Sequence, residues 1–273
     1  MRDEPNLRAD IGGILAVVAL FACVAFLPPD TSLSEMRKDG TLKACLPSNY
    51  PPLVISGAER PGFDVELLAK VADRLGVRLS LNRNDAIGRD FNPRSWGLNR
   101  AQCQVVAGGV AVTDTTRTFL DTTEPHLATG WILIGREAVP ASLDGLTVGV
   151  FPGVAGRDRV ALTSGLRQEG ARIAPAHSIE DLATRLAAGE LDAGVTEALA
   201  GGSLAAERGW STAWLLGSDE ADPIAFGLWK GDLTLKRAVG RALEGIREDG
   251  EIEALRRIYS LPSISAVYAG AGA

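Results

Sequence analysis

A two-lobed α/β architecture is predicted by three features of this 273-residue chain. Strand-like and helix-like stretches alternate as β-α-β, helix, β over residues 41–107, and as β-α-β-α-β over residues 147–197. Apolar stretches at Gly130 to Ile134 and Ala225 to Trp229 stand where the chain would leave the first unit and return to it. A long amphipathic helical region from Leu233 to Tyr259 then closes the pattern. Alternation of this kind calls for a mostly parallel sheet flanked by helices in each lobe, with two strands as hinges between them. Such a body closes by hinge motion on whatever enters its cleft.

Composition narrows the field. At 46% hydrophobic the chain can bury a sizeable core, so disorder is not the default. A net charge of −6 without a long basic run argues against nucleic acid as a partner, and a soluble monomer is the simpler expectation. The amino terminus differs: Ile11 to Leu27 is an unbroken apolar run behind Arg2 and Arg8. It reads as a signal peptide cleaved after Ala25 or as a retained membrane anchor, with acylation at Cys23 a third route. Every route exports the body. Only Cys45 and Cys103 then remain in it, and an oxidising compartment permits them to pair and tie two neighbouring strands; two buried free thiols are the alternative. His126 and His177 lie at no ligand spacing from a cysteine or from each other, so no metal is expected.

In chain order, Thr41 to Leu46 alternates as a strand, and Pro47 to Pro52 breaks it with Tyr50 displayed among prolines. Loops at the carboxyl ends of strands in open α/β sheets face ligands, which makes Tyr50 a candidate pocket wall. Apolar residues at helical spacing run from Asp64, a possible cap, to Gly76, a possible stop. Val77 to Leu81 is the second strand. The polar stretch Asn82 to Asn92 carries Phe91 at the cleft entrance, and a short helix is expected from about Pro93 to Ala101, with Trp96 and Leu98 in the core.

The central strand, Gln104 to Ala107, runs into Gly108-Gly109-Val110-Ala111-Val112-Thr113-Asp114-Thr115-Thr116-Arg117. Paired glycines let backbone N–H groups approach a ligand with no Cβ in the way, and Arg117 brings the planar fork that grips a carboxylate through two parallel hydrogen bonds. Gly108, Gly109, Thr113 and Arg117 are therefore candidate ligand contacts. Phe119 to Pro125 reads as a loop.

The second unit begins with the strand Thr147 to Phe151 and a helix reaching about Glu169. A strand near Arg172 to Ala174 follows, then a helix over Ile179 to Ala188 capped by Ser178, and a strand from Asp192 to Thr196 with Glu197 at its carboxyl end. Gly149, Gly153 and Gly156 do not form the G-x-G-x-x-G dinucleotide fingerprint, so no nicotinamide cofactor is expected. The closing helical region breaks at Asp249-Gly250.

Taken together, Tyr50-Pro51-Pro52, Gly62-Phe63-Asp64-Val65-Glu66, Gln104 to Arg117, Pro125, Asp144 to Val150, Leu191 to Glu197 and Glu248-Asp249-Gly250 resemble solute-binding protein family 3, the periplasmic amino-acid-binding components of ABC transporters. The resemblance covers about Leu42 to Tyr259 and implies a periplasmic-binding-protein fold of type II. It implies domains at 1–30 (signal or anchor), 31–130 (lobe 1), 131–224 (lobe 2), 225–262 (return to lobe 1) and 263–273 (tail). It further implies that Arg117 grips a ligand α-carboxylate, that Glu197 takes the α-ammonium, that Tyr50 and Phe91 flank the side chain, and that the partner is an ABC permease in the inner membrane. The chain departs from the family pattern at Gly108, Gly109 and Ala111, where hydroxyl residues are usual, at Gly153-Val154-Ala155, and at His126, which replaces a common tyrosine. Cys45 and Cys103-Gln104-Val105-Val106 also resemble relatives associated with quinoprotein alcohol dehydrogenases, which act as accessory proteins. A small-acid dehydratase on the same fold would need a general acid in the cleft, for which Glu197 is the candidate.

Overall fold

The computed structural model describes residues 13–14, 16–19, 29–87, 93–152, 159–215 and 221–261. Two mixed sheets, flanked by helices, form the two lobes. In the first, β1 (Thr41–Leu46) lies between β2 (Arg78–Arg83) and β3 (Val105–Ala111), both parallel to it. On the far side of β3 the strand β11 (Asp222–Trp229) runs antiparallel and also pairs β4 (Leu120–Thr122) and β5 (Leu127–Thr129). Every residue of β3 is buried, as expected of a central strand covered on both faces. The helix α1 (Ser32–Asp39) precedes β1, and α2 (Phe63–Leu75) connects β1 to β2, burying Leu67, Leu68, Val71 and Ala72 at helical spacing. Gly76 ends α2 in the left-handed region, as its sequence position predicts.

The second sheet has the order β10-β6-β9-β7-β8, where β6 is Trp131–Gly135, β7 Thr147–Phe151, β8 Arg172–Pro175, β9 Ala193–Glu197 and β10 Ser211–Trp214. Strands β8 and β9 run parallel to β7, whereas β6 and β10 are antiparallel additions. The short helix α3 (Asp114–Phe119) belongs to the first lobe; α4 (Arg159–Gln168), α5 (Ile179–Ala187) and α6 (Ala198–Arg208) belong to the second. The chain passes from the first sheet to the second at Gly130, between β5 and β6. It returns before Asp222, because β11 lies wholly in the first sheet. Two helices, α7 (Leu233–Glu248) and α8 (Glu251–Ile258), then pack on the first lobe, separated at Asp249-Gly250 as their sequence predicts.

Several local expectations need correction. The helix expected over Pro93 to Ala101 is only a 3-10 turn, Pro93–Trp96; Gly97 takes φ 62°, and the Asn99 side chain accepts from the N–H groups of Ala101 and Gln102, which competes with helix. Trp96 is nevertheless buried. The residues before β1, for which no element is expected, form α1, held to the start of α7 by the Asp30 carboxylate, which accepts from Thr234 N at 2.6 Å and Ser32 N at 2.9 Å. The turn after β3 contains α3, and the loop that follows contains β4.

Cys45 and Cys103 are joined in a disulfide, with Cα atoms 5.5 Å apart. It ties β1 to the segment leading into β3, and both residues are buried in a cluster with Ile87, Trp96 and Leu120. The described residues of the amino-terminal apolar run are helical, with Ile14, Val17 and Val18 exposed. Among the described residues no helix is long and apolar enough to cross a membrane.

Candidate functional site

The two lobes meet at the amino end of α6. Leu199 and Ala200, the second and third residues of that helix, are buried in the core of the first lobe alongside Tyr50, Leu53 and Leu127. Glu197 stands immediately before them and is fully buried. As the N-cap of α6 it accepts from the otherwise unpaired N–H groups of Leu199 (3.0 Å) and Ala200 (2.6 Å). Two hydroxyls also reach the carboxylate. Tyr50 Oη donates at 2.8 Å from the first lobe, and Thr129 Oγ1 donates from the residue before the crossing at Gly130. A buried carboxylate needs such donors, since burial of an uncompensated charge is costly.

Tyr50 is placed by its own loop. Its N–H donates to Val54 O at 2.7 Å and its carbonyl accepts from Val54 N at 2.9 Å, an isolated bridge that closes a tight turn. The glycine pair makes the room. Gly108 and Gly109 have φ of 86° and 90°, and a Cβ at Gly109 would lie 3.0 Å from the Tyr50 ring, while one at Gly108 would meet Pro47 at 2.4 Å.

The N–H groups of those glycines are not turned toward the cleft as the sequence reading expects. Both donate to one oxygen of Asp64, at 2.7 and 3.2 Å. Asp64 itself does not cap α2, whose N-cap is Gly62; it is the second residue of the helix, fully buried, with its other oxygen 3.1 Å from His126 Nε2. The His126 ring is stacked on Phe63 at 6.0 Å and tilted against Phe226 at 4.5 Å. This carboxylate and imidazole were missed in the sequence because Asp64 opens an amphipathic run and looks like a cap, and because His126 has no partner nearby in sequence.

Thr113 is the N-cap of α3, accepting from Thr116 N at 3.1 Å. Arg117 lies on the solvent side of α3: its side chain is 63% exposed and reaches Asp114 at 4.0 Å, a surface pair of little energetic weight. The structure therefore brings Tyr50, Glu197 and the Gly108-Gly109 turn together and leaves Arg117 at the surface. Phe91, the second expected aromatic wall, lies outside the described residues, as do Gly153, Val154 and Ala155.

Other polar features lie away from this seam. A cavity of about 580 Å³ lined by Asp30, Lys43, Arg100, Gln104 and Asp232 opens at the amino ends of β1 and β3, the wrong end of the strands for a ligand in such a sheet. Tyr259 closes the first lobe by donating to Glu66 at 2.6 Å while accepting from Gly62 N at 3.0 Å. Burial, and then the bond to Glu66, push its phenol up to about 12.

Known proteins share this architecture. The L-cystine-binding protein TcyJ of Escherichia coli (strain K12) is 25% identical over 265 residues, covering 91% of this chain and 93% of that protein. Among solved structures, an ancestral cationic amino acid solute-binding protein superposes with a TM-score of 0.70 at 19% identity, covering 84% of this chain and 99% of that one. The structure of Tv2483 bound to L-arginine gives a TM-score of 0.65 at 19% identity, covering 85% and 95%. At these identities the superpositions establish the two-lobed fold and nothing finer. The sequence model of the bacterial extracellular solute-binding proteins, family 3, matches residues 42–261, and with four-fifths of its length so matched the chain belongs to that family.

Proposed function

We propose that the protein is an exported, non-catalytic receptor that captures an amino acid or related small carboxylate between its lobes and presents it to an ABC-type permease of the inner membrane. The observation that carries this reading is Glu197, a fully buried carboxylate at the seam of the two lobes, contacted from both of them. A carboxylate there suits a ligand ammonium, Tyr50 and Phe91 suit the flanks of its side chain, and the strand end from Gly108 to Thr113 suits the floor. Arg117, on the helix that follows, is the cation available for the ligand carboxylate once the lobes part. The apolar run Ile11 to Leu27 directs export and, if retained, holds the receptor at the inner membrane, where it works as a monomer in the periplasm. The names of the relatives make L-cystine and cationic amino acids the first ligands to try.

The test is a thermal-shift screen of the full chain against amino acids and small carboxylates, because a ligand at 100-fold over its Kd adds about 2.7 kcal/mol of stability. A hit among amino acids, weakened by Arg117→Ala, supports the proposal. A second reading is favoured by the surface position of Arg117 and by the Cys45–Cys103 bridge: an accessory protein that docks on a quinoprotein dehydrogenase. Flat shifts across the whole panel, with co-purification of a dehydrogenase, would select it.

A further inference from the structure

We infer that the Tyr50 hydroxyl is an internal latch on Glu197, which holds the lobes together without ligand and sets which ligands can enter. The specificity half of this inference rests on the proposed receptor function; the latch itself does not.

A carboxylate offers about four lone-pair positions. On Glu197 all four are taken: Oε1 by Tyr50 Oη and Ala200 N, Oε2 by Thr129 Oγ1 and Leu199 N. An arriving ammonium therefore finds no acceptor until one donor leaves. The two N–H groups belong to the first turn of α6 and cannot withdraw without unwinding it. Thr129 ends β5, one residue before the crossing at Gly130, where opening displaces the two lobes least. Among the described residues, Tyr50 is the donor that reaches the carboxylate from a loop of the first lobe away from the crossing, at a contact that hinge opening would break.

Tyr50 thus occupies the position that a ligand amine would take. The exchange is selective because an ammonium brings a full positive charge to the carboxylate, an attraction that a neutral phenol lacks. A ligand with an amine can replace the hydroxyl; a carboxylate without one cannot, and must bind with the latch still shut. Tyr50 is on this account a specificity residue as well as a wall of the site.

The experiment uses Tyr50→Phe in the full chain, which keeps the ring against Gly109 and removes only the hydroxyl. Hydrogen exchange of the ligand-free protein should show the segments around residues 50–54 and 198–202 losing protection by about tenfold or more, since the hydrogen bond that joins them through Glu197 is lost. Calorimetry with L-cystine and L-arginine, each beside its desamino analogue, should show amino-acid affinity rising by about tenfold or more in the variant while that of the desamino analogue stays put. Unchanged protection in both segments overturns the latch. Unchanged or weakened amino-acid affinity, with protection lost, overturns the specificity role. If neither amino acid binds the wild-type protein and the screen is flat, it is the receptor function that has failed, and the exchange measurement still decides the latch.

Discussion

Replacing Glu197 by alanine should destabilise the ligand-free protein, because the carboxylate is a structural acceptor before it is a ligand contact. Loss of an N-cap costs about 1 kcal/mol, and two buried hydroxyls deprived of a charged acceptor add about 1 kcal/mol or more each, for a total of about 3–4 kcal/mol. Tyr50 is 5% exposed and Thr129 is fully buried, so water cannot readily replace the missing partner. At roughly 2–4 °C per kcal/mol for a body of this size, the melting temperature should fall by roughly 10 °C. The assay is scanning calorimetry without ligand, on Glu197→Ala, Tyr50→Phe and the double variant. The last supplies a coupling energy of roughly 1 kcal/mol or more if the Tyr50–Glu197 bond exists in solution. A melting temperature within about 2 °C of wild type in Glu197→Ala would refute this account, since a carboxylate that four donors need cannot be removed at no cost.

Three further outcomes are expected. Removing the disulfide as Cys45→Ala with Cys103→Ala should lower stability by about 4 kcal/mol in urea unfolding, because the bridge joins residues 58 apart and restricts the unfolded chain. Arg117→Ala should leave the ligand-free melting temperature within about 1 °C, as expected of an exposed pair, yet weaken amino-acid binding by roughly 30-fold or more in calorimetry. Tyr259, whose phenol is raised to about 12 from an unfolded value near 10, stabilises the fold fully below about pH 10 and ceases to do so as the pH climbs toward 12. A stability profile across that window should therefore drop in the wild type and be flatter in Tyr259→Phe.

The fold was legible where burial follows a regular period. Apolar alternation in Thr41 to Leu46, the helical spacing of Asp64 to Leu75 and the Ser178 cap each matched a feature in the structure, and Ser178 does accept from Asp181 N at 3.1 Å. Short elements escaped notice because their stability is tertiary. Strands β4 and β5 are three residues each and exist as partners of β11, and the exposed residues of β10 carry little pattern of their own. At the site, the sequence identified the residues that meet at the seam more readily than their hydrogen-bond partners. Tyr50, Gly108, Gly109 and Glu197 do come together, but the acceptor of the glycine N–H groups is Asp64, a residue on another element.

Asp64 and Glu197 show why such partners are hard to read in advance. Each is a buried carboxylate that accepts from two consecutive backbone N–H groups and from side chains remote in sequence: His126 for Asp64, Tyr50 and Thr129 for Glu197. Two adjacent amides can converge on one carboxylate only where the backbone is bent, in the glycine turn for the first and the opening turn of α6 for the second. Asp64 thereby fixes the bend that makes room for the Tyr50 ring, and the Tyr50 hydroxyl in turn reaches Glu197. The first carboxylate therefore acts on the second through one aromatic side chain. Asp64→Asn, which turns an acceptor into a group that must also donate beside two N–H groups, should lower hydrogen-exchange protection at residues 50–54 and 198–202 without touching Tyr50 or Glu197.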